Sequence, residues 1–398
     1  MKARTLMLLA AVLAVLVLAA VLSQRSPQRP AAADGVRAGS KLFPGLDVNA
    51  VAGLELRDGT NNVRLARQDG RWVVATLWNY PADFETLADR LRAFANLKAG
   101  EVMAGGDKYL KDFGLEASSN KAPLQVRLST AAGQELAALS VGIARLRGQQ
   151  SEYGGYADGA YVRVGTGPVV LVKETMSDWP RQPAAWIKSR VLELSRDDIT
   201  RLSGTVSNQT WVLTSSNSTF QLQGLSTNED LSQETVDGVV NTLTAFTVAG
   251  VADPARKDAE LGLDQPQQLD VITKSGLNYV CKLGSRAPAG RWARLTSAYV
   301  PPAAPTNFAA TLAAATNAAA SNQVATLKKE YEAKVAADTK KAQEQNALFS
   351  RFAYLLADEA CGKLLPARSA LAKVRPPPAP ATNAVPAATT SSPAAPDE

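Results

Sequence analysis

A few short stretches carry residue types that do chemistry elsewhere. Ser118-Ser119-Asn120-Lys121 has the Ser-x-x-Lys spacing of penicillin-binding enzymes, where a lysine one helical turn on takes the serine proton. Here the stretch lies between Gly114-Leu115 and a strand-like run, so it falls in a loop, and the chain has no Lys-Thr-Gly. Asp197-Asp198 and Glu229-Asp230 each place two carboxylates together, the raw material of acid–base work. Both sit beside expected element starts, where acids cap backbone N–H groups, and Asp230 reads as a helix N-cap. Gly154-Gly155 lacks the Gly-x-Gly-x-x-Gly or Walker surroundings that cradle phosphate.

The 398-residue chain contains no histidine. That removes histidine-based triads, histidine acids and bases, and nearly all zinc or non-haem iron sites. Two cysteines, Cys281 and Cys361, cannot make a four-thiolate metal site. Tyr279, Cys281 and Leu283 share one strand face, and Cys281 reads as a core thiol or as the disulfide partner of Cys361. Lys and Arg number 43 against 37 Asp and Glu, a net +6. The charges are mixed in sign and not interleaved with aromatics, which argues against nucleic acid as a partner. The expectation is a chain without cofactor or metal, and not an enzyme.

The elements that would position such residues are readable. Leu54 and Leu56, Val63 and Leu65, and Trp72 and Val74 alternate with polar neighbours, the period of half-buried strands. Asp58-Gly59 and Asp69-Gly70 supply the turns. Tyr80-Pro81-Ala82-Asp83 opens a helix whose apolar stripe is Phe84, Leu87, Leu91, Phe94 and Leu97. After Phe113-Gly114-Leu115 come strands Leu124–Leu128 and Leu136–Val141, a loop with an Asp158-Gly159 turn, then Tyr161–Val164 and Val169–Val172.

The same order then recurs about 148 residues on. Trp211 and Leu213 stand for Val63 and Leu65, Phe220 for Trp72, and Gly262-Leu263 for Gly114-Leu115. Val236, Val239, Val240, Leu243 and Phe246 restate the helix stripe. Strands Leu269–Ile272 and Tyr279–Leu283 follow, and Arg291–Leu295 echoes Ala160–Val164. Agreement in apolar type, turn placement and element order together implies a domain-scale duplication. The expected fold class is α+β: two tandem divergent copies of a module, each a mostly antiparallel sheet with a packed helix.

The copies diverge after Val300. An insertion over about 303–345 contains a charged helix, Gln323–Gln345, with a thin apolar seam of Val324, Leu327, Tyr331 and Val335. It is either a solvated helix or a docking helix for a protein partner. Phe349–Leu371 is apolar at helical spacing and should pack on the second copy.

Lys2 and Arg4 precede an unbroken apolar run of 17 residues, Leu6–Leu22. That just spans a bilayer as a helix, while Val17-Leu18-Ala19 resembles a cleavage site, so residues 1–22 are an anchor or a signal. Residues 23–40 read as a linker, 41–190 as the first module, 191–374 as the second, and 375–398 as a disordered Pro/Ala-rich tail.

Leu42-Phe43-Pro44-Gly45-Leu46, Ala66–Val74 with its Gly-Arg-Trp strand start, Tyr80-Pro81-Ala82-Asp83 and Gly262-Leu263-Asp264-Gln265-Pro266 resemble domain-of-unknown-function family 4340. The resemblance covers most of residues 41–300. It implies a bacterial protein with one N-terminal membrane segment, similar to those that accompany gliding-motility-like ABC transport systems. No catalytic residues come with it. The expected role is a non-catalytic accessory or scaffold of an envelope transport complex, single-pass in the cytoplasmic membrane with its bulk outside. The alternative is an extracytoplasmic module that binds polysaccharide or peptidoglycan; a groove lined by exposed Tyr153, Tyr156 and Trp78 would favour it.

Overall fold

The computed structural model describes residues 36–59, 61–117, 122–148, 155–302 and 318–375. The expected anchor at 6–22, most of the linker, the Ser118–Lys121 stretch, Tyr153, Gly154 and the tail from 376 lie outside the described residues. Among the described residues no helix is long and apolar enough to cross a membrane. The architecture is α+β, with antiparallel sheets and few helices.

The first half opens with a meander of β1 (Gly53–Asp58), β2 (Asn61–Gln68) and β3 (Arg71–Val74). The short β4 (Tyr80–Pro81) leads into α1 (Phe84–Ala95), and β5 (Glu101–Val102) follows. Then come β6 (Leu124–Ser129), β7 (Glu135–Arg147), β8 (Tyr156–Arg163) and β9 (Val169–Val172). They form one sheet ordered β4-β3-β2-β1-β6-β7-β8-β9-β5. Asp83, not Pro81, starts α1: its carboxylate accepts from the backbone N–H of Glu85 at 3.1 Å and Thr86 at 3.3 Å.

The second half repeats the meander as β10 (Ile199–Val206), β11 (Gln209–Ser216) and β12 (Thr219–Leu222). Next are β13 (Glu229–Leu231), α2 (Gln233–Thr244), β14 (Gly250–Val251), β15 (Gln267–Thr273), β16 (Leu277–Ala287) and β17 (Gly290–Tyr299). The chain closes with α3 (Ala318–Arg351), β18 (Tyr354–Leu356), α4 (Asp358–Leu364), α5 (Arg368–Leu371) and β19 (Ala372–Val374). The second sheet is ordered β12-β11-β10-β15-β16-β17-β18-β14, while β13 pairs with β19.

Position by position, the two sheet orders run in parallel from β3 to β5 and from β12 to β14. The details also correspond. Gly114 and Gly262 both end a short turn at φ +65°. A glycine opposite each turn, Gly142 on β7 and Gly284 on β16, lies so close that a Cβ would strike the Phe113 or the Leu261 carbonyl oxygen. Arg163 on β8 pairs with Asp107, and Arg294 on β17 pairs with Asp258. Backbone N–H groups of Met103 and Ala252 donate to Val169 at 2.9 Å and Ala353 at 2.8 Å, which fixes β5 and β14 at matching edges. Trp72 and Phe220 are both buried at the second position of β3 and β12.

Several local expectations are corrected. Phe84 is exposed, because the helix stripe begins one turn later at Leu87. Asp158-Gly159 is not a turn but lies within β8, where a Cβ on Gly159 would strike the Val172 carbonyl and Asp158 binds Arg145 and Arg147. Asp230 is not an N-cap: it sits in β13 bound to Arg375, and Ser232 precedes α2. Phe349–Leu371 is not one helical run, since β18 interrupts it. The charged helix does not stop at Gln345 but continues to Arg351.

Candidate functional site

The seam residues belong to α3, which packs against β17. Ser297 anchors it: its backbone N–H donates to Asn346 Oδ1 at 2.9 Å and its hydroxyl to the Ala342 carbonyl at 3.0 Å. The inner face of the helix runs Val324, Tyr331, Val335, Ala342, Phe349, close to the two-turn spacing of a helix laid on a flat surface. Val324 is buried, Tyr331 and Val335 are half-buried, and the Tyr331 hydroxyl donates to the Pro302 carbonyl at 2.8 Å. Leu327 points elsewhere and is 53% exposed. The structure therefore separates the four: Val324, Tyr331 and Val335 are covered to differing degrees, and Leu327 faces solvent.

The far end of α3 meets the first half. Arg351 donates to the Trp78 carbonyl at 3.0 Å. Phe352 lies edge-on to Tyr80 with ring centroids 5.0 Å apart, and Tyr354 packs against both Tyr80 and Phe349. Phe349, Phe352, Tyr354 and Tyr80 are almost wholly buried, and one hydrophobic core runs through both halves at this point. Burial pushes the Tyr80 and Tyr354 phenols well above the ordinary tyrosine value, so both stay protonated and act as packing groups or donors, not bases. A cleft of about 210 Å³ opens beside them, with Lys188, Arg190, Glu193, Lys341 and Glu344 at its wall. Sequence reasoning missed this junction. Its only signal was the trio Phe349, Phe352 and Tyr354 directly after the charged run.

A second cleft, about 400 Å³, lies in the first half between α1 and the segment after β9. Arg90, Phe94, Lys173, Met176 and Trp179 form its wall, and Met176 holds the left-handed conformation at φ +53°. Trp78 and Tyr156 are both exposed, and neither lines this cleft or the junction cleft.

The carboxylate pairs have structural partners. Asp198 accepts from the Ser275 backbone N–H at 3.0 Å and its hydroxyl at 3.1 Å, which fixes the β15–β16 turn. Glu229 binds Arg368, chiefly through that hydrogen bond held down to about 2, and Asp230 binds Arg375. Both tie β13 to the C-terminal segment. Cys281 and Cys361 are free and buried, and burial pushes the Cys281 thiol up to about 12. Among the described residues no group of three or more Cys, Asp or Glu is placed to hold a metal ion.

Fold and junction define an α+β protein of two antiparallel sheets fused through one long helix. The family model for "Domain of unknown function (DUF4340)" matches residues 72–266, from Trp72 in β3 to Pro266 just before β15. Over that span the chain belongs to this family, and the match straddles both halves. No curated protein and no solved structure matches the chain.

Proposed function

We propose that this chain is a non-catalytic accessory or scaffold subunit of a bacterial ABC-type envelope transport complex, held at the cytoplasmic membrane by residues 6–22 with its bulk outside. Its two halves are divergent copies of one module. The observation that carries the reading is the junction: a 34-residue helix lies on β17 and ends by wedging Phe352 against Tyr80. Such a strut makes a rigid double-sheet body from two small domains, which suits a part that spaces other subunits. The same helix leaves Leu327 exposed and so offers a contact for a protein partner.

The test is affinity isolation of the intact protein from membranes after cross-linking. ATPase and permease subunits should co-purify, and Leu327→Ser should reduce their recovery while the melting temperature barely moves, since exposed substitutions cost under about 0.5 kcal/mol. Recovery of the protein alone would overturn the reading. The alternative is a cell-envelope glycan binder. It is favoured by the cleft of about 400 Å³, whose Trp179 and Phe94 supply apolar walls and whose Arg90 and Lys173 supply donors. Saturable binding of soluble peptidoglycan fragments, lost in Trp179→Ala, would favour it.

A further inference from the structure

The first sheet carries a cationic hollow of about 390 Å³ over β1, β2 and β6. Strand alternation turns Leu54, Leu56, Val63, Leu65, Val126 and Leu128 into the core, which sends Glu55, Arg64 and Arg127 to the other face. Register puts those three in one row: Glu55 stands opposite Arg64 on β2 and opposite Arg127 on β6. The next row is small, with Gly53 opposite Ala66 and Ser129. It forms the floor of the hollow. A Cβ on Gly53 would strike the Ser129 hydroxyl, so only glycine leaves that oxygen room there.

The cations of this face are not used up by the fold. Glu55 turns along its own strand to Arg57, at 2.8 Å, and away from both neighbouring arginines. Among the described residues, the guanidiniums of Arg64, Arg67 and Arg127 have no ion-pair or hydrogen-bond partner, and neither has the Ser129 hydroxyl. All three arginines are exposed, as is Glu135 at the rim. Four arginines, Arg57 included, against Glu55 and Glu135 leave a surplus of two positive charges. The second sheet shows that the framework does not require them. There the matching row is Val212, Ser203 and Asp270, held in the same register without one arginine.

We propose that this hollow binds a compact tetrahedral dianion, the phosphate group of a phosphomonoester. Arginine forks favour oxyanions because their paired N–H groups match two oxygens at once. Arg64 and Arg127 approach from opposite sides and the Ser129 hydroxyl from the floor. A tetrahedral group offers oxygens in all three directions, whereas one carboxylate is planar and carries a single charge. The surplus of two charges matches a phosphomonoester, which carries about −1.5 to −2 at neutral pH. This site is independent of the scaffold reading and of the glycan alternative.

Calorimetric titration of the full-length chain in an uncharged detergent, at constant ionic strength, tests it. The ligands are inorganic phosphate, methyl phosphate and dihexanoyl phosphatidic acid. One phosphate should bind per chain with Kd on the order of 1 mM. Arg64→Gln and Arg127→Gln should each weaken binding about ten-fold through loss of a charge-assisted pair. Both positions are exposed, so the melting temperature should barely move. Arg201→Gln, at an exposed arginine on the second sheet, should leave binding unchanged. Equal affinity for the three ligands supports the proposal and makes the source a free phosphoester. Arginine-dependent preference for the lipid supports it and makes the source a headgroup. No saturation by any of them up to about 20 mM overturns the proposal. Binding indifferent to both substitutions, or tighter binding of succinate than of phosphate, also overturns it.

Discussion

The two halves use one sheet order and finish it by different means. In the first, β9 follows β8 after a five-residue turn, and the sheet is complete. In the second, the place of β9 is taken by β18, which arrives only after α3 has travelled along β17 and back to the junction. The sheet position is the same, but the chain that fills it has been lengthened into a strut. The second difference lies at the opposite edge. Tyr80-Pro81 closes the first meander, whereas Glu229-Asp230 leaves the second and is clamped by Arg368 and Arg375. A framework can thus keep its core register while its edges and connections are put to other uses, because register is set by the buried alternation and not by the linkers.

The largest expected effect is at the junction, where the halves cease to be independent. Phe352 is fully buried against Tyr80, so Phe352→Ala should cost about 3–5 kcal/mol in denaturant unfolding. A cost near zero would mean the contact between halves is incidental. Next come the matched glycines. Gly142→Ala and Gly284→Ala should each destabilise by about 1–3 kcal/mol, because each Cβ strikes a backbone carbonyl that cannot swing away. A large loss at one position and none at the other would break the correspondence.

The clamp on β13 should appear as an acid limb. Glu229 has a folded value of about 2 against an ordinary 4.5, so its contribution is complete above pH 4.5 and is lost as pH falls toward 2. The melting temperature should fall over that window, and Glu229→Gln should flatten the fall. The first half has Tyr80 at this place, a phenol that does not titrate in this window. The smallest effect belongs to the matched ion pairs. Arg163→Met and Arg294→Met remove pairs whose aspartates are largely exposed, so each should cost less than about 1 kcal/mol, and by similar amounts.

Much of the fold was legible because period-two alternation survives wherever one sheet face is buried. Val63, Leu65, Trp211 and Leu213 are all buried, as their spacing implied. The helix stripes read equally well from Leu87 and Val236 onward. What escaped was decided by contacts distant in sequence. Nothing local distinguishes β4 from a helix start, since Tyr80-Pro81 is a strand only because Val73 and Val74 pair with it. The turns Ser207-Asn208 and Asn217-Ser218 take positive φ with no glycine to announce them. Of the seam, the sequence identified the helix and its apolar residues. It could not tell which of them face β17, because a thin stripe on a charged helix fits a sheet and a partner equally well.

The central claim is that two like halves form one cooperative body through α3 and the aromatic junction. Hydrogen–deuterium exchange of the intact protein along a urea series tests it most directly, read at α1 (Phe84–Ala95) and α2 (Gln233–Thr244). The account predicts that both helices lose protection at the same urea concentration, and that Phe352→Ala separates the two transitions. Protection lost in two well-separated steps in the wild-type chain would contradict it.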